Sequence, residues 1–98
     1  VASKTRKWHI TKIANSARKN IENLELKSQK EIIRQFEALQ YNLFRRDIKK
    51  VTGKKNIYRG RIGDIRYYFR LFFKSKSIEI LLLETRSHVK KKTIQRLK

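Results

Sequence analysis

The sequence predicts a single α+β domain in the order β-α-α-β-β-β, an antiparallel hairpin run with two helices packed on one sheet face. Three observations predict it. Two apolar stripes at helical spacing fill the first half, short alternating runs fill the second, and a Gly63-Asp64 step separates two of those runs. The 98 residues suffice for one core and no second one. The domain is therefore read as residues 1–98, with 1–6 and 93–98 as flexible basic ends.

Taken in order, residues Trp8 to Ile13 alternate weakly and are expected to form the first strand. The period changes after Thr11, where Ile13, Ala17, Ile21 and Leu24 give one apolar helical stripe. Leu26 falls in a short connection. Ser28, followed three residues later by Glu31, reads as a capping box that starts the second helix. Ile32, Phe36, Leu39 and Leu43 form its stripe, with Ile33 and Gln40 on the flank. Two helices joined by so short a loop pack as an antiparallel hairpin. Residues 44–56 show no period and read as a loop. Ile57 to Ile62 and Ile65 to Phe73 read as strands, Ser75 to Ser77 as a turn, and Ile78 to Leu83 as the last strand. Ile78, Ile80 and Leu82 are then expected on the core face beside Phe73, Leu71 and Phe69.

A two-residue loop at Gly63-Asp64 fixes the hairpin register: Ile62 opposite Ile65, Arg61 opposite Arg66, Arg59 opposite Tyr68, Ile57 opposite Arg70. Alternation then puts Arg59, Arg61, Arg66, Tyr68 and Arg70 on one face. Tyr58, Ile62, Ile65, Tyr67, Phe69, Leu71 and Phe73 share the other. Like charges directly opposite one another cost stability. A sheet that sets Arg61 against Arg66 is expected to hold an anion there, phosphate first.

The charge balance points the same way. Twenty-seven Lys and Arg face eight acids, a formal +19, and such an excess attracts polyanions. Residues 20–42 are nearly neutral, whereas residues 45–98 carry a net +14. That asymmetry is the footprint of a nucleic-acid binder. The basic residues sit mainly on strands and tails, not on an amphipathic helix, so no membrane partner is expected. The longest apolar run, Ile80 to Leu83, is far short of the roughly 20 residues of a spanning helix. Cysteine is absent, which excludes a disulfide framework and thiolate zinc sites. No secretory signal precedes Lys4 and Arg6, and a cytoplasmic protein is expected. His9 and His88 are the only histidines, and neither has a carboxylate cluster at ligand spacing, so no metal and no cofactor are expected. Gly60-Arg61-Ile62-Gly63 matches the GxxG of KH domains, but that motif belongs between helices and this one ends a strand.

An arginine cluster remains. RNA cleavage needs no metal when the neighbouring 2′-hydroxyl is the nucleophile. It needs a base for that hydroxyl, an acid for the departing 5′-oxygen, and fixed cations for the charge on the phosphorane. Arginine suits the last role, being always charged and able to contact phosphate bidentately. From composition alone, plain phosphate binding and catalysis both stay open.

The run Lys49-Lys50-Val51-Thr52-Gly53, then Tyr58-Arg59-Gly60-Arg61-Ile62-Gly63-Asp64-Ile65-Arg66, resembles the K-L-x-G … Y-R-x-R-x-G-D-Y-R signature of the RelE/ParE toxin superfamily, its archaeal RelE-like members above all. The resemblance covers about residues 7–92. It implies a small β-α-α-β-β-β fold and the toxin half of a type II toxin–antitoxin pair. It further implies an endoribonuclease, or mRNA interferase, that blocks translation by cutting messenger RNA in the ribosomal A site. The implied partners are messenger RNA, the ribosome, and an acidic antitoxin in a heteromeric complex. By the same carry-over, Arg59 and Arg61 match two basic residues before the turn, Arg66 the arginine after it, and Arg86 the basic residue after the last strand. Ile65 stands where tyrosine is usual. Lys90 stands where many RelE enzymes have a tyrosine that assists proton transfer, and His88 is the candidate substitute. Tyr68, Arg70, Lys90, Lys91 and Lys92 are the candidate RNA contacts. A non-catalytic RNA- or ribosome-binding module and a ParE-like gyrase inhibitor are the alternatives.

Overall fold

A computed structural model describes residues 7–44 and 47–85. Strand β1 (His9–Ile13) leads into helices α1 (Asn15–Glu22) and α2 (Leu26–Tyr41). Strands β2 (Lys49–Lys50), β3 (Ile57–Ile62), β4 (Ile65–Phe72) and β5 (Ser77–Thr85) follow. The sheet order is β1-β5-β4-β3-β2, with β1 parallel to β5 and the other neighbours antiparallel. Both helices cover one face. Ala17, Ile32, Phe36 and Leu39 meet Tyr67, Phe69, Leu71, Ile78, Ile80 and Leu83 in a single apolar core. Among the described residues no helix is long and apolar enough to cross a membrane.

The predicted order and the β3–β4 register both hold. Ile57 faces Arg70, Arg59 faces Tyr68, Arg61 faces Arg66 and Ile62 faces Ile65. Gly63 takes a positive φ of 58° and Asp64 does not, the pattern of a type II′ turn with glycine first. Gly60 is fixed by a different constraint. It lies opposite Tyr67, whose ring occupies the space a Cβ would need. Gly60→Ala is expected to destabilise by about 1–3 kcal/mol through overpacking, read as a lower urea midpoint at unchanged slope. An unchanged midpoint would mean that the Tyr67 ring moves aside freely.

Four expectations are corrected. Helix α2 starts at Leu26, a turn before the supposed capping box, and Glu25 precedes it without a side-chain cap. Leu26 and Lys27 are good helix formers and each adds a backbone bond, while Gln29 Nε2 closes the α1–α2 connection by donating to Leu24 O at 2.9 Å. The stretch read as a loop contains β2, two residues whose pairing with Arg59 and Tyr58 comes from tertiary structure and leaves no periodicity. Phe73 lies beyond β4 in the turn, exposed at its edge and packed edge-on against Trp8.

The fourth correction decides the site. Tyr68 pairs with Leu82 and Phe69 with Ile80, so Leu81 is an extra residue, a β-bulge in β5. A bulge inverts the alternation beyond it. Leu83 therefore enters the helix-side core, whereas Leu82 joins Ile57 and Tyr68 in a small cluster on the opposite face. Strand β1 pairs with β5 only as far as Ile80. Past that point Asn20 Oδ1 accepts from the Leu83 amide at 3.1 Å, satisfying a backbone donor beside the bulge. Gln40 ties down the other side of β1: its Oε1 accepts from Ile10 N at 2.9 Å, and its carbonyl accepts from Lys7 and Trp8.

Candidate nucleic-acid interface

The sheet face away from the helices carries the arginines, in two adjacent rows. One row reads Lys49, Arg59, Tyr68, Leu82 across β2, β3, β4 and β5. The next reads Arg61, Arg66, Glu84 across β3, β4 and β5. Lys49, Arg59, Arg61 and Arg66 converge on a concave surface of about 240 Å³, with Asp47 and Gly60 completing its lining. Four cations and one carboxylate around so small a volume leave an excess of positive charge suited to a phosphate. Arg61 is held in place by its own turn, its Nε donating to Gly63 O at 3.0 Å.

The sequence-derived candidates divide accordingly. Arg59, Arg61 and Arg66 come together. Arg70 shares their face but faces Ile57 and Glu79, and it does not line the pocket. Tyr68 is 2% exposed, packed with Ile57 and Leu82. Its ring is enclosed by these neighbours and offers no open face for a base to stack on. Burial pushes its hydroxyl above the ordinary tyrosine range, the charge of Glu84 raises it further, and contact with Arg66 opposes the rise. The phenol therefore stays protonated at neutral pH. Arg86, His88, Lys90, Lys91 and Lys92 lie outside the described residues.

Two residues escaped the sequence reading. Lys49 falls in the stretch without periodicity, and only its pairing with Arg59 brings it to the pocket. Glu84 is buried at 5% exposure opposite Arg66. Ordinary alternation from Ile80 aims Glu84 at the core, so no sequence signal marked it. Its presence also revises the charge argument, because the opposed pair Arg61 and Arg66 has a carboxylate next to it in the same row. A larger recess of about 830 Å³ lies between the β3–β4 turn and the start of α2. Leu24, Glu25, Glu31, Ile62 and Asp64 are among its lining, and none of the arginines is.

The same architecture recurs in solved structures. The archaeal RelE–RelB complex from Pyrococcus horikoshii contains a chain with 26% identity and a TM-score of 0.71, covering 85% of this chain and 99% of that one. The RelB–RelE complex from Methanococcus jannaschii gives 24% identity and a TM-score of 0.65, covering 88% and 96%. The isolated Escherichia coli RelE toxin, at 8% identity, superimposes with a TM-score of 0.68 over 92% of this chain and 97% of its own. The fold is RelE-like. No family model matches the sequence, and no curated protein does. The RelE-like fold thus persists where sequence identity is nearly gone.

Proposed function

We propose that this RelE-like chain is the toxin of a toxin–antitoxin pair and an endoribonuclease that cuts messenger RNA in the ribosomal A site. The observation that carries the reading is the convergence of Lys49, Arg59, Arg61 and Arg66 on one pocket of a fold shared with RelE structures. The proposed step is internal transesterification. The 2′-hydroxyl loses its proton to a base, its oxygen bonds to the adjacent phosphorus, the bond from phosphorus to the 5′-oxygen breaks, and that oxygen takes up a proton. The products are a 2′,3′-cyclic phosphate and a 5′-hydroxyl. The pocket cations bear the added charge of the phosphorane, which a preorganised site stabilises more than water does. His88, with Arg86 and the run Lys90 to Lys92, belongs to the segment after β5, and His88 is the proposed base.

The partner reading rests on charge and on relatives. The P. horikoshii and M. jannaschii structures are RelE–RelB complexes, and the net +14 of residues 45–98 suits an acidic antitoxin. The test of the chemistry is a messenger with a single 2′-deoxy nucleotide at the cleavage position. It is expected to bind as the all-ribose messenger does and to remain uncut. Cleavage of the deoxy messenger would overturn the 2′-hydroxyl mechanism.

A further inference from the structure

The face that carries the arginines continues past the pocket toward the far end of β4. Tyr67, Phe69 and Leu71 point into the helix-side core, so alternation sets Arg66, Tyr68, Arg70 and Phe72 on the other face. Arg70 pairs with Glu79 of β5, and Glu79 with Lys12 of β1. Phe72 pairs with Ser77, and Ser77 with His9. Two further rows therefore lie beside those of the pocket. In the first, Lys12 Nζ meets Glu79 Oε2 at 3.7 Å, whereas the Arg70 side chain makes no hydrogen bond or ion pair among the described residues. One carboxylate against two cations leaves that row positive. In the second, Phe72 is 43% exposed and its ring meets no other described ring. Phe73 is equally exposed but packs edge-on against Trp8 at 5.5 Å.

A single exposed apolar side chain needs no explanation by itself. This one stands next to an unpaired arginine, on the face that already gathers cations around the pocket. Aromatic rings beside cations hold single-stranded nucleic acid with little regard to sequence, because every base has a face to stack. We propose that Phe72 and Arg70 form a second contact for single-stranded RNA: a base stacks on the Phe72 ring and Arg70 meets a phosphate beside it. Six residues of strand separate Phe72 from Arg66, roughly 20 Å. A stacked strand spans that distance with about six nucleotides at ~3.4 Å each, and an extended one with fewer. The RNA then runs along β4, with one phosphate at the pocket and a base several nucleotides away on Phe72. The choice of RNA as the ligand rests on the ribonuclease reading, and the contact itself is tested by binding alone.

The test compares two strands of about ten nucleotides that carry the same phosphates and cannot be cut. One has bases on 2′-O-methyl sugars, and the other has tetrahydrofuran sugars with no bases. Equal charge makes the difference between them a measure of base contacts. The wild type is expected to prefer the strand with bases about tenfold, and Phe72→Ala to lose most of that preference while binding the base-free strand as before. Phe72→Trp is expected to keep the preference, with the added indole fluorescence quenched on binding. Arg70→Ala is expected to weaken both strands alike and to lower the salt slope by about one. A wild type that binds both strands equally, or a preference unchanged in Phe72→Ala, would overturn the proposal and leave the ring to a protein partner. If Phe72→Ala fails to fold, Phe72→Trp decides: quenching by the strand with bases and not by the base-free strand supports the contact, and equal or no quenching overturns it. Because nothing is cut in this experiment, a chain that shows the preference yet leaves messenger intact on ribosomes would lose the ribonuclease reading and keep this one.

Discussion

Arg61→Ala is expected to slow single-turnover cleavage of messenger RNA about a hundredfold, or about 3 kcal/mol of transition-state stabilisation, while Tm stays within about 2 °C of wild type. Arg61 is exposed on β3 and reaches the pocket from the β3–β4 turn. Its tether is a carbonyl at the turn, which returns to water when the side chain is cut back, and no core cavity opens. Arg66→Ala is expected to lose rate as Arg61→Ala does, because Arg66 lines the same pocket from β4. Quenched-flow rates beside calorimetric melting curves check both variants. A wild-type rate in Arg61→Ala would remove this arginine from the mechanism.

Phe69→Ala is expected to give the largest loss of stability, about 3–5 kcal/mol, a large part of the 5–15 kcal/mol that typically holds a domain together. Phe69 is fully buried at the centre of β4. Its ring stacks between Tyr58 at 6.1 Å and Tyr67 at 5.8 Å. Tyr67 in turn lies over Gly60 and meets Phe36 of α2 edge-on at 5.4 Å. Deleting the ring therefore leaves a hole between the helices and the strands that carry Arg59 and Arg66. Equilibrium urea unfolding measures the cost, and a loss below about 1 kcal/mol would mean that neighbouring side chains collapse into the space.

The β3–β4 hairpin was legible in the sequence because its information is local. One glycine sets the turn, and period-two alternation sets the faces from Ile57 to Arg70. The apolar stripe of α2 was legible for the same reason, down to burial of Ile32, Phe36 and Leu39, although Leu43 is buried past the end of that helix and Ile13, part of the first stripe, closes β1 instead. What the residues concealed is set by distant partners. Strand β2 exists through its pairing with β3, and the parallel docking of β1 on β5 depends on both helices having returned the chain. The bulge at Leu81 is hidden in the run Ile80 to Leu83, where four apolar residues fit either face equally well. That ambiguity sent Leu82 to the wrong side and hid Glu84. The site was legible in the same measure: its arginines follow from the hairpin, whereas Lys49, Glu84 and the burial of Tyr68 follow from the sheet around it.

The central claim, that the arginine pocket cuts messenger RNA on the ribosome, is tested most directly by incubating the protein with programmed ribosomes and mapping the messenger by primer extension. The account predicts a cut within the A-site codon, a 2′,3′-cyclic phosphate at the new end, and loss of that cut in Arg61→Ala. A messenger left intact at saturating protein, with ribosome binding retained, would contradict it and identify a binding module built on the same sheet.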